Sequence, residues 1–343
     1  MSTAPRTAPF AYLGGLLATD LLDVVDLSAQ PDVLDRGGWW AVLATFEGRQ
    51  TGYRFGNVRP TLLPAGTARW AGPDPAHWRS SLDEADYLAG VQRIRRYIEA
   101  GDVYQVNLCR ILSAPLPDGA DPLALATLLA AGNPAPHQGV LRVDDDWVVT
   151  ASPELFLSRS GDTIASAPIK GTTYPAEPFA DKDYPENIMI TDLVRNDLGR
   201  IGRPGSVAVT GLLERQEHPG LAHLVSTVTA ELAGGVGWAD ILAATFPPGS
   251  VTGAPKIRAQ QVISELEPVD RGPYCGAIGY VDADVQQAVL AVGIRTFFTS
   301  HTGAGRRLHF GTGAGITYAS DPAAEWRETE LKAARLIGLA SST

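Results

Sequence analysis

The order of elements along the chain predicts an α+β fold. Strand-like runs cluster together, helical patterns come in separate blocks, and no strict βαβ alternation joins them, which disfavours a doubly wound sheet. The runs 139–143, 147–150, 155–159 and 163–167 are separated by turn signals such as Asp144-Asp-Asp146 and Ser160-Gly-Asp162. That spacing predicts antiparallel pairing. At 343 residues the chain can hold one large core or two domains.

Taken in order, residues 1–58 read as short strands and turns, with Trp39–Phe46 ending at Glu47-Gly48. Residues 59–77, rich in Pro, Gly and Ala, mark a linker or edge loop. Tyr87, Val91, Ile94 and Ile98 fall at helical spacing, with Ser81 as N-cap and Gly101 at the stop. The run 103–112 reads as a strand in which Gln105, Asn107 and Cys109 share a face. Such amides belong at a surface or against a polar cavity. The strand 163–167 should end at Pro168, which cannot continue a central ladder, so Lys170 and Gly171 are expected on a loop. Alone, Lys170 reads there as a solvated lysine.

Further on, a helix is expected at 186–198, strands at 207–212 and 224–231, and a helix at 239–246. Pro255 suits the first turn of a helix running to about Leu266. The runs 276–281, 288–298 and 307–311 read as strands. A final helix, capped by Ser320 or Asp321, ends near Leu339.

Composition narrows the function. There are 28 Lys and Arg against 38 Asp and Glu, a net charge of −10 with no basic block. That argues against nucleic acid as a main partner but leaves room for a small anionic substrate. Cys109 and Cys275 form neither a disulfide framework nor a zinc pattern and read as buried thiols. The apolar stretch 10–18 is too short to span a membrane and makes a poor signal peptide, so a cytoplasmic setting is expected.

No metal-binding His pair, nucleophile elbow or P-loop is present. Gly311-Thr-Gly-Ala-Gly315 lacks the P-loop lysine and the Rossmann spacing, and reads equally as a turn before the last helix. Glu154 follows a proline in an apolar context. Buried, it would have a raised pKa and suit a general acid; exposed, it would be unremarked. Glu186 at a helix start complements the dipole, and Glu328 can pair with Lys332. Two carboxylates and water also make a typical magnesium site.

From about Tyr87 to Lys332 the chain resembles the chorismate-utilising family, which includes anthranilate, aminodeoxychorismate, isochorismate and salicylate synthases. The matching runs are Gly101-Asp-Val-Tyr-Gln-Val-Asn-Leu108, Ser152-Pro-Glu-Leu-Phe156, Pro168-Ile-Lys-Gly-Thr172 and the helix 186–200. Phe246-Pro-Pro-Gly-Ser-Val-Thr-Gly-Ala-Pro-Lys256, Arg271-Gly-Pro-Tyr-Cys-Gly276, Gly313-Ala-Gly-Ile316 and Glu325-Trp-Arg-Glu-Thr329 continue them. The resemblance implies two large, mostly antiparallel β-sheets packed face to face, with helices outside. Residues 1–80 would form an abbreviated, strand-rich N-terminal region of that sandwich, and residues 81–343 the chorismate-binding catalytic region.

It further implies Mg2+-dependent chemistry on chorismate, with Glu186 and Glu328 as metal ligands and Glu154 as general acid. Tyr274, Arg295, Gly171, Thr172, Gly313, Ala314, Gly315 and Gln105 would bind substrate. Family members that add water carry a lysine base where this chain has Gln105, so a hydroxylating role is not expected. Anthranilate synthases resemble Pro-Ile-Ala-Gly-Thr around position 170, and aminodeoxychorismate synthases Pro-Ile-Lys-Gly-Thr. The lysine therefore implies amination of chorismate at C4 through a covalent Lys170 adduct. Neither cysteine sits in a glutaminase-like elbow, so ammonia is expected from a separate glutamine amidotransferase subunit. Tryptophan feedback is not expected, because no Leu-Leu-Glu-Ser element is found.

Overall fold

The computed structural model describes residues 8–218, 221–303 and 305–341. Its opening strands are β1 (Phe10–Leu13), β2 (Leu16–Asp26), β3 (Trp39–Ala44), β4 (Gln50–Pro60) and β5 (Arg79–Ser80). Helix α1 (Glu84–Glu99) leads to β6 (Gln105–Pro115), α2 (Pro122–Gly132), β7 (His137–Val143) and β8 (Asp146–Ser152). Next come β9 (Leu155–Ser160), β10 (Thr163–Ala167), β11 (Ile169–Thr173), α3 (Asp183–Gly199), β12 (Ala208–His218) and β13 (Leu221–Glu231). Then follow α4 (Trp238–Thr245), β14 (Gly253–Ala254), α5 (Lys256–Leu266), β15 (Ala277–Asp282) and β16 (Gln287–Val292). The chain closes with β17 (Thr296–Thr302), β18 (Gly305–Ile316) and α6 (Pro322–Ala340).

Every ladder among the described residues is antiparallel. One sheet runs β12-β13-β10-β9-β16-β15-β3-β4, with β11 also on β13. The other runs β2-β1-β7-β8-β17-β18-β6, with β5 and β14 on the far edge of β6. The long strands β2 and β4 pair with each other and join the two. A single core draws on both sheets: Leu157, Ile278 and Leu290 from the first, Leu108, Ala314 and Ile316 from the second. Helices α2 and α6 cover the second sheet through Leu125, Leu129 and Leu336, packed with Val140, Val149 and Phe297. This is the expected α+β arrangement.

Several local expectations are corrected. Asp83, not Ser81, caps α1, accepting the Asp86 N–H at 2.9 Å. The Ser81 hydroxyl instead accepts the Ile111 N–H at 3.0 Å, because the chain there is still paired to β6. Helix α2 has no counterpart in the sequence reading: it is apolar all round, so no stripe betrays its period. Pro255 is the N-cap of α5 rather than part of its first turn.

Two further corrections shape the site. Pro168 does not start a loop. It lacks an N–H, but its carbonyl still accepts from Ser226 N–H at 3.2 Å, and pairing resumes in β11, which carries Lys170. The run 288–298 is not one strand. It breaks at Gly293, where a Cβ would lie 2.1 Å from the Pro273 carbonyl oxygen. The turn 271–276 docks there, with Cys275 N–H to Gly293 O at 3.0 Å and Gly293 N–H to Gly276 O at 2.9 Å.

Finally, Gly311–Gly315 is no turn; it lies within β18, paired to β6. Gly311, Gly313 and Gly315 share one face of the strand. A Cβ on Gly311 would sit 2.0 Å from the Tyr274 ring, one on Gly313 2.5 Å from Cys109 Sγ, and one on Gly315 2.2 Å from Gln105 Nε2. Gly311→Ala should therefore lower the unfolding free energy by about 1–3 kcal/mol, read as a shifted urea midpoint. An unchanged midpoint would mean that the Tyr274 ring is free to move away.

Candidate active site

Glu154 lies between β8 and β9, is 3% exposed, and leaves its Oε1 without a hydrogen-bond partner. Burial pushes its carboxyl up. The Ser250 hydroxyl, the Lys170 charge, the Ile169 N–H and the Arg295 charge pull the other way, and the result is about 7. A carboxyl so placed holds a proton near neutrality, which suits a general acid.

Lys170 sits opposite. It falls where the register of β11 on β13 shifts, between the Ile169 and Thr172 pairings, and its Nζ is 3.9 Å from Glu186 Oε2, with both side chains nearly buried. Gly171 beside it has φ +89, and a Cβ there would collide with the Asp183 carboxyl at 2.8 Å, so glycine lets the start of α3 press against β11. Gln105 is fully buried and donates from Nε2 to Glu186 Oε2 at 3.3 Å. The amides of β6 thus face the interior, the cavity alternative. Glu186 itself is raised by burial, against the opposing charges of Lys170 and Lys182. Helix α3 is anchored lower down by Asp197, whose Oδ2 accepts Lys256 Nζ at 2.6 Å.

A second group of carboxylates comes from α6. Asp321 caps this helix, and its buried stripe is Glu325, Thr329, Ala333, Leu336 and Ala340. Glu328 bonds Lys332 Nζ at 2.7 Å and Lys182 Nζ at 3.0 Å. Burial acts to raise its carboxyl, but Lys332 and Lys182 outweigh it and hold it at about 2. Glu325, 3% exposed, accepts the Ser320 hydroxyl on Oε1 at 2.7 Å and leaves Oε2 without a partner. Lys182 Nζ is 3.6 Å from Glu325 Oε1. Among the described residues no three His, Cys, Asp or Glu side chains converge closely enough to hold one ion. Lys182 stands between them instead.

Glu325 and Lys182 were not singled out from the sequence. Glu325 had a signal, since it lies four residues before Thr329 on the stripe that α6 must bury. Lys182, between two aspartates ahead of a helix, had none.

The remaining expected residues line β18 and its surroundings. Strand β17 pairs with β18 only up to Phe310, so from Gly311 to Ile316 β18 pairs only with β6 among the described residues. Backbone groups on that open edge can meet an anion, and Lys332 Nζ already donates to the Gly313 carbonyl at 3.1 Å. Ala314 contributes backbone alone, because its side chain is buried in the core. Tyr274 lies on Gly311 and Gln105 beside Gly315, so roughly 13 Å of strand separates them. Arg295 follows the strand break with φ +51, and burial lowers its guanidinium to about 10 against the opposing Glu154 charge. Arg295, Pro153 and buried His223 line one small cavity. The exposed Thr172 stands at its rim, its hydroxyl 3.0 Å from His223 Nδ1.

A buried acid and a nearly buried lysine thus lie in the same region as a strand edge that can receive an anion. The chain belongs to the family of chorismate binding enzymes, whose profile matches residues 63–338. It is 40% identical over 273 residues to anthranilate synthase component 1 of Streptomyces coelicolor, covering 76% of this chain and 52% of that one. To aminodeoxychorismate synthase component 1 of Klebsiella aerogenes it is 37% identical over 317 residues, covering 87% and 68%. The chain thus spans about half to two thirds of the length of these relatives. The crystal structure of anthranilate synthase component I from Streptococcus pneumoniae matches with a TM-score of 0.78 at 23% identity, covering 98% of this chain and 93% of that one. MenF, the menaquinone-specific isochorismate synthase of Escherichia coli, matches at 0.79 and 18% identity, covering 98% and 89%. These two likenesses speak for the fold alone. No helix among the described residues is long and apolar enough to cross a membrane.

Glu154 carries a testable consequence. Its proton is held to about pH 7 in the folded chain, against an ordinary value of 4.5. The folded state therefore binds the extra proton between those values, and stability falls as pH rises through that window. Glu154→Gln should lose this slope. From pH 4.5 to 7 its unfolding free energy should gain on wild type by roughly 2–3 kcal/mol in urea titrations. Parallel pH profiles would place the Glu154 titration outside that window.

Proposed function

We propose that the chain is the chorismate-aminating component of an aminodeoxychorismate synthase, making 4-amino-4-deoxychorismate from chorismate and ammonia. The observation that carries the reading is Lys170, nearly buried beside Glu186 and within range of the Glu154 charge. A lysine drawn into such a site is placed to react rather than to solvate a surface.

Displacing the C4 hydroxyl with retained configuration is hard in one step, and two successive allylic displacements achieve it. The Lys170 amine adds at C2 while both double bonds of the ring diene shift round the ring and the C4 hydroxyl leaves as water, protonated by Glu154. Ammonia then adds at C4, both double bonds of the diene shift back, and the Lys170 amine is expelled from C2. Attack needs the free amine form of Lys170, whose Nζ lies 3.9 Å from Glu186 Oε2. Arg295 and the open edge of β18 would hold the substrate's two carboxylates, the guanidinium by paired hydrogen bonds.

Glu186, Glu325 and Glu328 offer hard oxygen donors, and the orphaned Glu325 Oε2 is a buried acceptor in need of a partner, so the donor chemistry suits Mg2+, although the three do not converge while Lys182 Nζ lies against Glu325 and Glu328. Bound to them, the ion would act as a Lewis acid on the ring carboxylate. On this reading ammonia comes from a separate glutamine amidotransferase subunit in a cytoplasmic setting, and the product feeds 4-aminobenzoate and folate synthesis. Gln105, an amide where a water-adding enzyme needs a base, weighs against isochorismate formation.

The second reading is anthranilate synthase component I, with amination at C2 and loss of pyruvate. The 40% identity to the Streptomyces coelicolor protein favours it. Chorismate, Mg2+ and excess ammonium salt at alkaline pH, with products identified by mass, separate the two. Aminodeoxychorismate is expected; anthranilate with pyruvate would overturn the proposal. Lys170→Ala should abolish turnover, and Glu154→Gln should slow it by about 10²- to 10⁴-fold. Unimpaired turnover in Lys170→Ala would remove the covalent adduct while sparing the product assignment.

A further inference from the structure

Lys182 occupies an unusual position for a lysine that is half exposed. Its ammonium lies 3.0 Å from Glu328 Oε2 and 3.6 Å from Glu325 Oε1, and the charge of Glu186, one helical turn further along α3, reaches it as well. These are the three carboxylates with the chemistry to hold a divalent cation. The buried Glu325 Oε2, with no hydrogen-bond partner, marks a place where a ligand is still wanted.

The other lysine of the cluster is held differently. Lys332 is tied on one side to Glu328 Oε1 at 2.7 Å and on the other to the Gly313 carbonyl at 3.1 Å. Lys182 has carboxylates as its ion-pair partners, and its side chain is 48% exposed. Its backbone is the uncapped N-cap of α3, with helical φ −67 and ψ −26, so the side chain can turn outward without disturbing the helix. What keeps it inward is charge: withdrawn carboxylates left without a cation are costly.

We propose that Lys182 is a resident counter-ion. Its ammonium stands in for a divalent cation among Glu186, Glu325 and Glu328, and swings into solvent when the ion binds. The inference rests on the metal reading of these carboxylates given above. It predicts that ion affinity is set by a competition within the chain itself, and that the site keeps its shape without the ion.

The full chain, without chorismate, is labelled briefly with an acetylating reagent in the presence and absence of MgCl2, and each lysine is read by peptide mass. Lys182 should label several-fold faster with Mg2+. Isothermal titration of Mg2+ should show Lys182→Met binding about two- to fivefold tighter than wild type, the worth of one partly exposed ion pair no longer to be broken. Should the variant fold poorly, the labelling of the wild-type chain decides alone. Mg2+ binding with unchanged Lys182 labelling, or equal affinity in wild type and Lys182→Met, would overturn the proposal. Turnover of chorismate with either of those results would sink the counter-ion and leave the proposed function standing. Absence of both Mg2+ binding and turnover would remove the two together.

Discussion

Carboxylates withdrawn from water set the terms for this molecule. An ionised carboxylate loses several kcal/mol of hydration on burial unless it is paired or protonated. Each carboxylate of the site meets that cost in its own way. Glu154 keeps a proton to about pH 7. Glu186 divides its charge between Lys170 and Gln105. Glu328 takes a lysine on each oxygen and stays ionised down to about pH 2. Carboxyls pushed so far apart cannot share a role: one is fitted to give a proton, the other to hold a cation.

The backbone supports this through one interruption. Where the expected strand 288–298 breaks at Gly293, three things happen together. The turn 271–276 docks on the glycine and brings Tyr274 over Gly311. Arg295 is forced into a left-handed conformation and faces the Glu154 charge. Strand β17 starts only at Thr296, so among the described residues β18 is left with β6 as its sole strand partner beyond Phe310. Continuous pairing would have closed that edge. The glycines of β18 complete the effect, since any side chain at 311, 313 or 315 would fill the space that Tyr274, Cys109 and Gln105 use.

Much of this was legible in the sequence, and the failures have physical causes. Periodicity located α1, and spacing located the antiparallel run from β7 to β10. It missed α2, whose leucines and alanines leave no polar face. Proline signalled a stop at 168 because its missing donor is visible in sequence, whereas the carbonyl that keeps the ladder going is not. Glycine spacing at 311–315 suggested a turn; the requirement was close approach by neighbouring side chains, a long-range property. Lys170, Glu154, Glu186, Gln105 and Arg295 are brought into one region, as the motifs implied. Lys182 could not be found, because its importance depends on Glu325 and Glu328 more than 140 residues downstream.

The same considerations bear on how the two proposed readings, amination at C4 or at C2, would differ within one site. In the proposed reaction, an acid that expels the C4 hydroxyl, an edge that receives a carboxylate and carboxylates that hold a cation would be indifferent to which carbon is attacked. Selectivity has to come from a group that reaches the ring first. Position 170 is suited to this because it is held from both sides: Ile169 and Thr172 pair with β13, and Gly171 packs against the Asp183 end of α3. A side chain too short to reach C2 would leave that carbon open to ammonia. In the proposed reaction, Lys170 takes C2 for itself and so directs ammonia to C4. The choice between products then rests on the length and nucleophilicity of one side chain, in a scaffold that otherwise favours neither.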